Sequence, residues 1–160
     1  MSGTPMSTKP ETLEDRFMWL LNPLMRGILR SPLHGLQSSQ TLILTFTGRK
    51  SGKQYSTPLS YTRHGNLLRC FTSHENKWWR NLQRDTPVSL IYKGRRVQGT
   101  ATVLVDDHQH IADRLAEHVQ QVPRDVKFHG IGWDAPQRPN MDDVLRAAQR
   151  LVMITIVIES

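Results

Sequence analysis

A chain of 160 residues with 38% apolar and 22% charged residues can bury a core without covalent staples. Its one cysteine, Cys70, excludes an intrachain disulfide and a cysteine-pair metal site, and fits a reducing cytoplasm. Lys and Arg outnumber Asp and Glu by 21 to 14, which favours an anionic partner. There is no long basic block or zinc-finger spacing, so no nucleic acid is expected.

Residues 1–12 read as a disordered leader without the apolar stretch of a signal peptide. Residues 13–40 read as a helical segment. Phe17, Leu20, Leu21, Leu24 and Ile28 share a face, Thr12 caps the start, and Pro23 divides the segment into two short helices. Packing on a barrel is the simpler role for this segment. Its Met, Trp and Arg residues also fit a lid or a peripheral membrane contact.

Residues 41–160 read as one cofactor-binding unit. Thr41 to Thr47 alternates as a strand with two different faces. The turn Gly48-Arg49-Lys50-Ser51-Gly52-Lys53 follows, then a strand from Gln54 to Arg63. His64-Gly65-Asn66 is a hairpin turn, and Leu67 to Thr72 is the third strand. Asn76 to Arg84 fits a short helix. Val88 to Tyr92 and Arg96 to Val105 are strands joined by Lys93-Gly94-Arg95. His108 to Gln121 is a helix capped by Asp106 or Asp107, and Gln121 to Asn140 is loop. Asp142 to Arg150 is a short helix, with Asp142 and Asp143 as capping residues. Leu151 to Ile158 is a β-branched strand buried on both faces. Hairpin links imply antiparallel pairing, so the expected class is α+β: about six mainly antiparallel strands closed into a small barrel, with flanking helices.

Two stretches carry candidate chemistry. In the turn, glycines relieve crowding so that amides can converge on one point, while Arg49, Lys50 and Lys53 add charge and Ser51 a hydroxyl. This suits a phosphate or carboxylate, although an exposed basic hairpin is the better explanation of the turn taken alone. Pro58 cannot donate a ladder hydrogen bond, which implies an edge, a bulge or an open ladder where a heterocycle could meet free backbone groups. Trp78 and Trp79 point to different sides of a helix, one towards the core and one towards a pocket, or both inward. No HExxH, GxSxG or paired acid–base spacing appears.

Taken in order, LILTFTGRKSGKQYSTPLSY, FTSHENKWWRNL and PVSLIYKGRRVQGTA resemble the deazaflavin (F420)-dependent nitroreductase family. These are split β-barrel proteins related to FMN-binding ones. The resemblance spans roughly Thr41 to Ala101 and implies hydride transfer from reduced coenzyme F420 to a quinone, nitro compound or other activated acceptor, in the cytoplasm or at a membrane. It implies that Arg49, Lys50, Ser51 and Lys53 hold the phosphate and acidic tail. Ser56, Thr57, Pro58, Leu59 and Ser60 would run along the ring with backbone contacts, and Tyr55 belongs to the same cofactor-binding set. Phe71, Thr72, Ser73, Trp78, Trp79 and Asn81 would close the other side. Tyr55 stands where better-known members carry an arginine, and the loop between Ser73 and Trp78 is short. FMN on the same barrel, or a non-catalytic haem or lipid module, are the alternatives. A homodimer is expected by analogy with related barrels.

Overall fold

The computed structural model describes residues 40–159. The expected leader, the N-terminal helices and the membrane contact assigned to them lie outside the described residues.

β1 (Thr41–Thr47) pairs antiparallel with β2 (Gln54–Ser60), from Thr41 opposite Ser60 to Thr47 opposite Gln54. The strand expected from Gln54 to Arg63 is interrupted at Tyr61, and its remainder forms β3 (Thr62–His64) against β4 (Leu67–Ser73). β5 (Thr86–Tyr92), β6 (Arg95–Leu104) and β9 (Leu151–Ile158) complete a seven-stranded sheet ordered β2-β1-β5-β6-β9-β4-β3. Every pairing in it is antiparallel. The two sheet edges are β2 and β3, which follow one another in the chain. The sheet therefore curls until its edges meet at Tyr61, giving the expected small barrel with one bent strand shared by both edges.

Period-two alternation fills the interior. Leu42, Leu44 and Phe46 of β1, Val88, Leu90 and Tyr92 of β5, and Val152, Ile154 and Ile156 of β9 form one buried cluster. A second cluster lies outside the barrel, where α1 (His108–Gln121) presents Ile111, Leu115 and Val119 to Phe71, Leu151 and Met153 of the sheet. β9 is thus buried on both faces over Leu151–Ile154, as its β-branched run implies, while Val157 near its end is exposed. Asp107 caps α1 by accepting from the His110 amide at 3.1 Å.

Three expectations change. The short helix after β4 is a 3-10 turn, Lys77–Leu82. The stretch from Gln121 to Asn140 carries a 3-10 turn (Pro123–Asp125), α2 (Val126–His129) and the hairpin β7 (Trp133–Ala135) with β8 (Arg138–Pro139). Pieces of two to four residues are too short to show a period. α3 (Met141–Ala148) is capped by Asn140, which accepts from the Asp143 amide at 2.9 Å. Asp142 and Asp143 sit in its first turn instead, and the Asp143 carboxylate accepts from the Gly132 amide.

Candidate cofactor site

The β1–β2 turn is held by its own backbone. Gly48 N–H donates to Lys53 O at 2.7 Å, and Gly52 N–H to Gly48 O at 2.8 Å. Gly52 has φ +69°, a conformation costly for other residues. A Cβ on Gly48 would lie 2.7 Å from Ser51 Oγ and 2.8 Å from the Tyr55 ring, so this glycine makes room for a side chain that closes the turn. Tyr55 does so by placing its hydroxyl 3.2 Å from Ser51 Oγ, which also accepts from Lys53 N–H. The amides of Gly48, Arg49, Gly52 and Lys53 are therefore engaged within the protein. An anion at this turn would therefore meet chiefly side chains, not the converging amides that the glycines imply. Arg49, Lys50 and Lys53 are all exposed, and none pairs with a carboxylate among the described residues. Such an uncompensated cluster attracts a multiply charged anion.

The turn is also tied to the 3-10 segment. Arg49 N–H donates to Asn81 Oδ1 at 2.9 Å, and Asn81 Nδ2 donates to Trp78 O at 2.8 Å. Both tryptophans belong to the barrel core. Trp78 stacks on Phe46 with centroids 5.5 Å apart. Trp79 donates its indole N–H to His74 O at 3.0 Å. Neither indole stands free to line a pocket, and the segment's polar contribution comes from Asn81.

Alternation divides the residues expected along the ring. Tyr55, Thr57 and Leu59 point into the barrel, where Thr57 and Leu59 are buried. Ser56, Pro58 and Ser60 point outward. Ser56 Oγ lies 2.7 Å from Thr45 Oγ1, and the register continues from Thr45 to Ser89 and from Ser89 to Gln98. This polar row crosses four strands. The next row carries Pro58, Ile43, Ile91 and Arg96. Here Pro58 meets only β1 among the described residues, which places the proline on an edge strand of the described sheet. A hydroxyl row beside an apolar row suits a flat ring with polar edges.

The β4 residues part company. Thr72 points inward, and its hydroxyl accepts from Asn76 Nδ2 at 3.2 Å. Phe71 lies in the helix-facing core, where its ring meets His118 edge-on. Ser73 borders a cleft of about 390 Å³ shared with His74, Glu75, Phe128, His129 and Arg150. This cleft and the basic turn lie at opposite ends of the Ser73–Leu82 segment, whose His74 lines the one and whose Asn81 fastens the other.

The periodicity of α1 puts His118 on its buried face and nothing more. In the fold, His118 Nε2 lies 2.7 Å from Asp125 Oδ2, and Ser60 Oγ donates to Asp125 Oδ1 at 3.2 Å. Partners separated by 65 residues leave no local signal. The aspartate stands between serine and histidine, so the imidazole does not touch the hydroxyl and cannot activate it as a nucleophile. Burial pushes the Cys70 thiol above its usual pKa, so it is not a thiolate either. No cluster of metal-ligating side chains occurs among the described residues.

An antiparallel barrel with a cationic turn at one strand pair and a polar outer face beside it is the framework of a split-barrel protein for phosphorylated flavin-type cofactors. Residues 30–127 match the model of the F420H(2)-dependent quinone reductase family, and the chain belongs to that family. It is an F420-dependent oxidoreductase. Among solved structures it is similar to a protein from Listeria innocua described as a candidate pyridoxamine 5'-phosphate oxidase. That likeness has 18% identity, covers 88% of this chain and 94% of the other, and has a TM-score of 0.50. A second, described as a domain-swapped dimer, has 16% identity, 90% and 99% coverage, and a TM-score of 0.50. Both show the split-barrel fold. An F420-H2 dependent reductase has 16% identity, 76% and 95% coverage, and a TM-score of 0.47. No curated protein matches. No helix among the described residues is long and apolar enough to cross a membrane.

The residues fit the cofactor. Coenzyme F420 carries a phosphate and a chain of carboxylates, and the turn offers three exposed cations that no acid neutralises among the described residues.

Proposed function

We propose that Arg49, Lys50 and Lys53 hold the phosphate and acidic tail of F420, and that the outer face of β2 carries its ring. Ser56 and Pro58 make the side-chain contacts on that face, and Ser60, whose hydroxyl is given to Asp125, contributes its backbone. Tyr55, Thr57 and Leu59 shape it through the backbone, and Trp78 and Asn81 brace the turn from below. The acceptor enters the cleft beside Ser73, where His129 and Arg150 supply hydrogen-bond donors and Phe128 an apolar wall. The cofactor supplies a hydride, and the acceptor gains two electrons and takes up its proton from solvent. The acceptor class is a quinone, a nitro compound or another activated acceptor. The protein's part is to bind and orient the partners.

The observation that carries this reading is the Arg49–Lys50–Lys53 cluster, unneutralised among the described residues and braced by Asn81. Titration of the protein with F420, followed by cofactor fluorescence, should show saturable binding that Lys50→Ala weakens. Absence of binding by the wild type sinks the reading. FMN is the second reading, favoured by the fold it shares with flavin-type split barrels. A parallel FMN titration decides between them, since one phosphate engages fewer of the three cations than a polyanionic tail. A homodimer is part of the same proposal, supported by the similar protein described as a domain-swapped dimer. Sedimentation at micromolar concentration tests it.

A further inference from the structure

The end of β2 is weakly held by backbone alone. Among the described residues only β1 pairs with it along Gln54–Ser60, and Pro58 offers no N–H. The helical layer ties down this corner of the sheet. At the start of the neighbouring β1, Gln40 Nε2 donates to Gln121 O at 2.9 Å, and Arg124 Nη2 to Thr41 Oγ1 at 2.7 Å. Ser60 Oγ donates to Asp125 Oδ1, whose other oxygen faces His118 Nε2. The side chains of His118 and Asp125 are 1% and 7% exposed, so their pair is shielded from water and from salt. His118 is itself fixed, with its ring edge-on to Phe71 at 5.1 Å.

With Asp125 ionised, its two oxygens receive two donors, one from each side of the fold. A serine that ends a strand is thereby fastened to a buried carboxylate that neither solvent nor a rotamer change easily displaces. We propose that Asp125, oriented by His118, is a positioning residue for cofactor binding: it holds Ser60 so that the outer face of β2 is already in its binding geometry. The proposal rests on the reading that β2 carries the F420 ring. A strand fixed in advance spares the ordering cost on binding, and its release lowers affinity without removing any contact to the tail.

The test compares wild type, Ser60→Ala, Asp125→Asn and the double variant by F420 fluorescence titration, with Ser60→Thr as the conservative replacement. Each single change should raise Kd by about 5- to 10-fold, and the double variant should be no worse than either, because both sever one connection. Ser60→Thr should bind within about twofold of wild type. Without cofactor, the amides of β2 should exchange with solvent faster in both single variants than in wild type. Unchanged Kd in Ser60→Ala, additive losses in the double variant, or lowered stability with unaltered affinity would each overturn the proposal. Should Asp125→Asn fail to fold, Ser60→Ala against Ser60→Thr decides alone. Failure of wild type to bind F420 defeats the functional reading and the clamp with it, whereas wild-type binding with indifferent variants defeats only the clamp.

Discussion

Arg49 and Asn81, 32 residues apart, are joined by a backbone N–H donating to a carboxamide oxygen at 2.9 Å. The same carboxamide donates to Trp78 O at 2.8 Å, so one side chain couples the cationic turn to a segment anchored in the barrel core. The turn's charges are exposed, but the backbone that carries them is not free to move.

Asn81→Ala should therefore loosen the turn without altering its charge. Losing a hydrogen bond of this kind costs about 1 kcal/mol, so F420 affinity should fall about 3- to 5-fold. Asn81→Asp keeps the acceptor for Arg49 N–H but sets a negative charge beside the cations, and should bind more weakly than Asn81→Ala. Equal affinities for the two variants would show that geometry, not charge, governs this position.

Lys50→Ala removes one charge from the cluster. Exposed ion pairs contribute about 0.2–1 kcal/mol each, so affinity should drop by up to about fivefold at low salt. The difference between wild type and variant should shrink as salt rises, because screening acts over about 8 Å at physiological ionic strength. Titrations at several salt concentrations check this. A difference that does not depend on salt would contradict a purely electrostatic role.

Gly48→Ala brings a methyl group to within 2.7 Å of Ser51 Oγ and 2.8 Å of the Tyr55 ring. Ser51 can rotate, but the Tyr55 ring, 5.8 Å from Phe46 between centroids, has less freedom. Crowding of this kind costs about 1–3 kcal/mol. A lowered thermal midpoint and weaker F420 binding are expected together, with part of the stability restored by adding Ser51→Ala.

Stability should decline towards acid in two stages. Burial holds the His129 imidazole below its ordinary pKa of 6.5, only partly offset by Asp125. Between its folded value and 6.5 the unfolded chain binds more protons, so its contribution is present above about 6.5 and lost as pH falls below it. For Asp125, burial raises the pKa, but the hydrogen bond and charge of His118, the Ser60 hydroxyl and the charge of His129 outweigh it. The carboxyl therefore lies below its ordinary 3.8. Its contribution is present above that value and lost as pH falls through the lower folded one. Urea midpoints from pH 8 to pH 3 should show both declines, with His129→Gln flattening the upper and Asp125→Asn the lower. A wild-type midpoint unchanged from pH 7 to pH 5 would remove His129 from this account.

Much of the fold follows from local pattern alone. Leu42, Leu44 and Phe46 alternate with Ile43, Thr45 and Thr47, and that period already assigns β1 two faces. The helix His108–Gln121 and the strand Leu151–Ile158 have the limits that their sequences imply. Glycine spacing and clustered cations likewise made Gly48 to Lys53 legible as a basic turn, because turn geometry and charge are properties of adjacent residues. Tertiary structure decided what no window of sequence contains. The break at Tyr61 closes the barrel by giving one strand to both sheet edges. Alternation within β2 sends Ser56, Pro58 and Ser60 outward while Trp78 and Trp79 are both drawn into the core. Asp125 meets Ser60 across 65 residues. Period and turn chemistry are short-range, whereas the register of distant strands and the meeting of buried polar groups depend on how the whole chain packs.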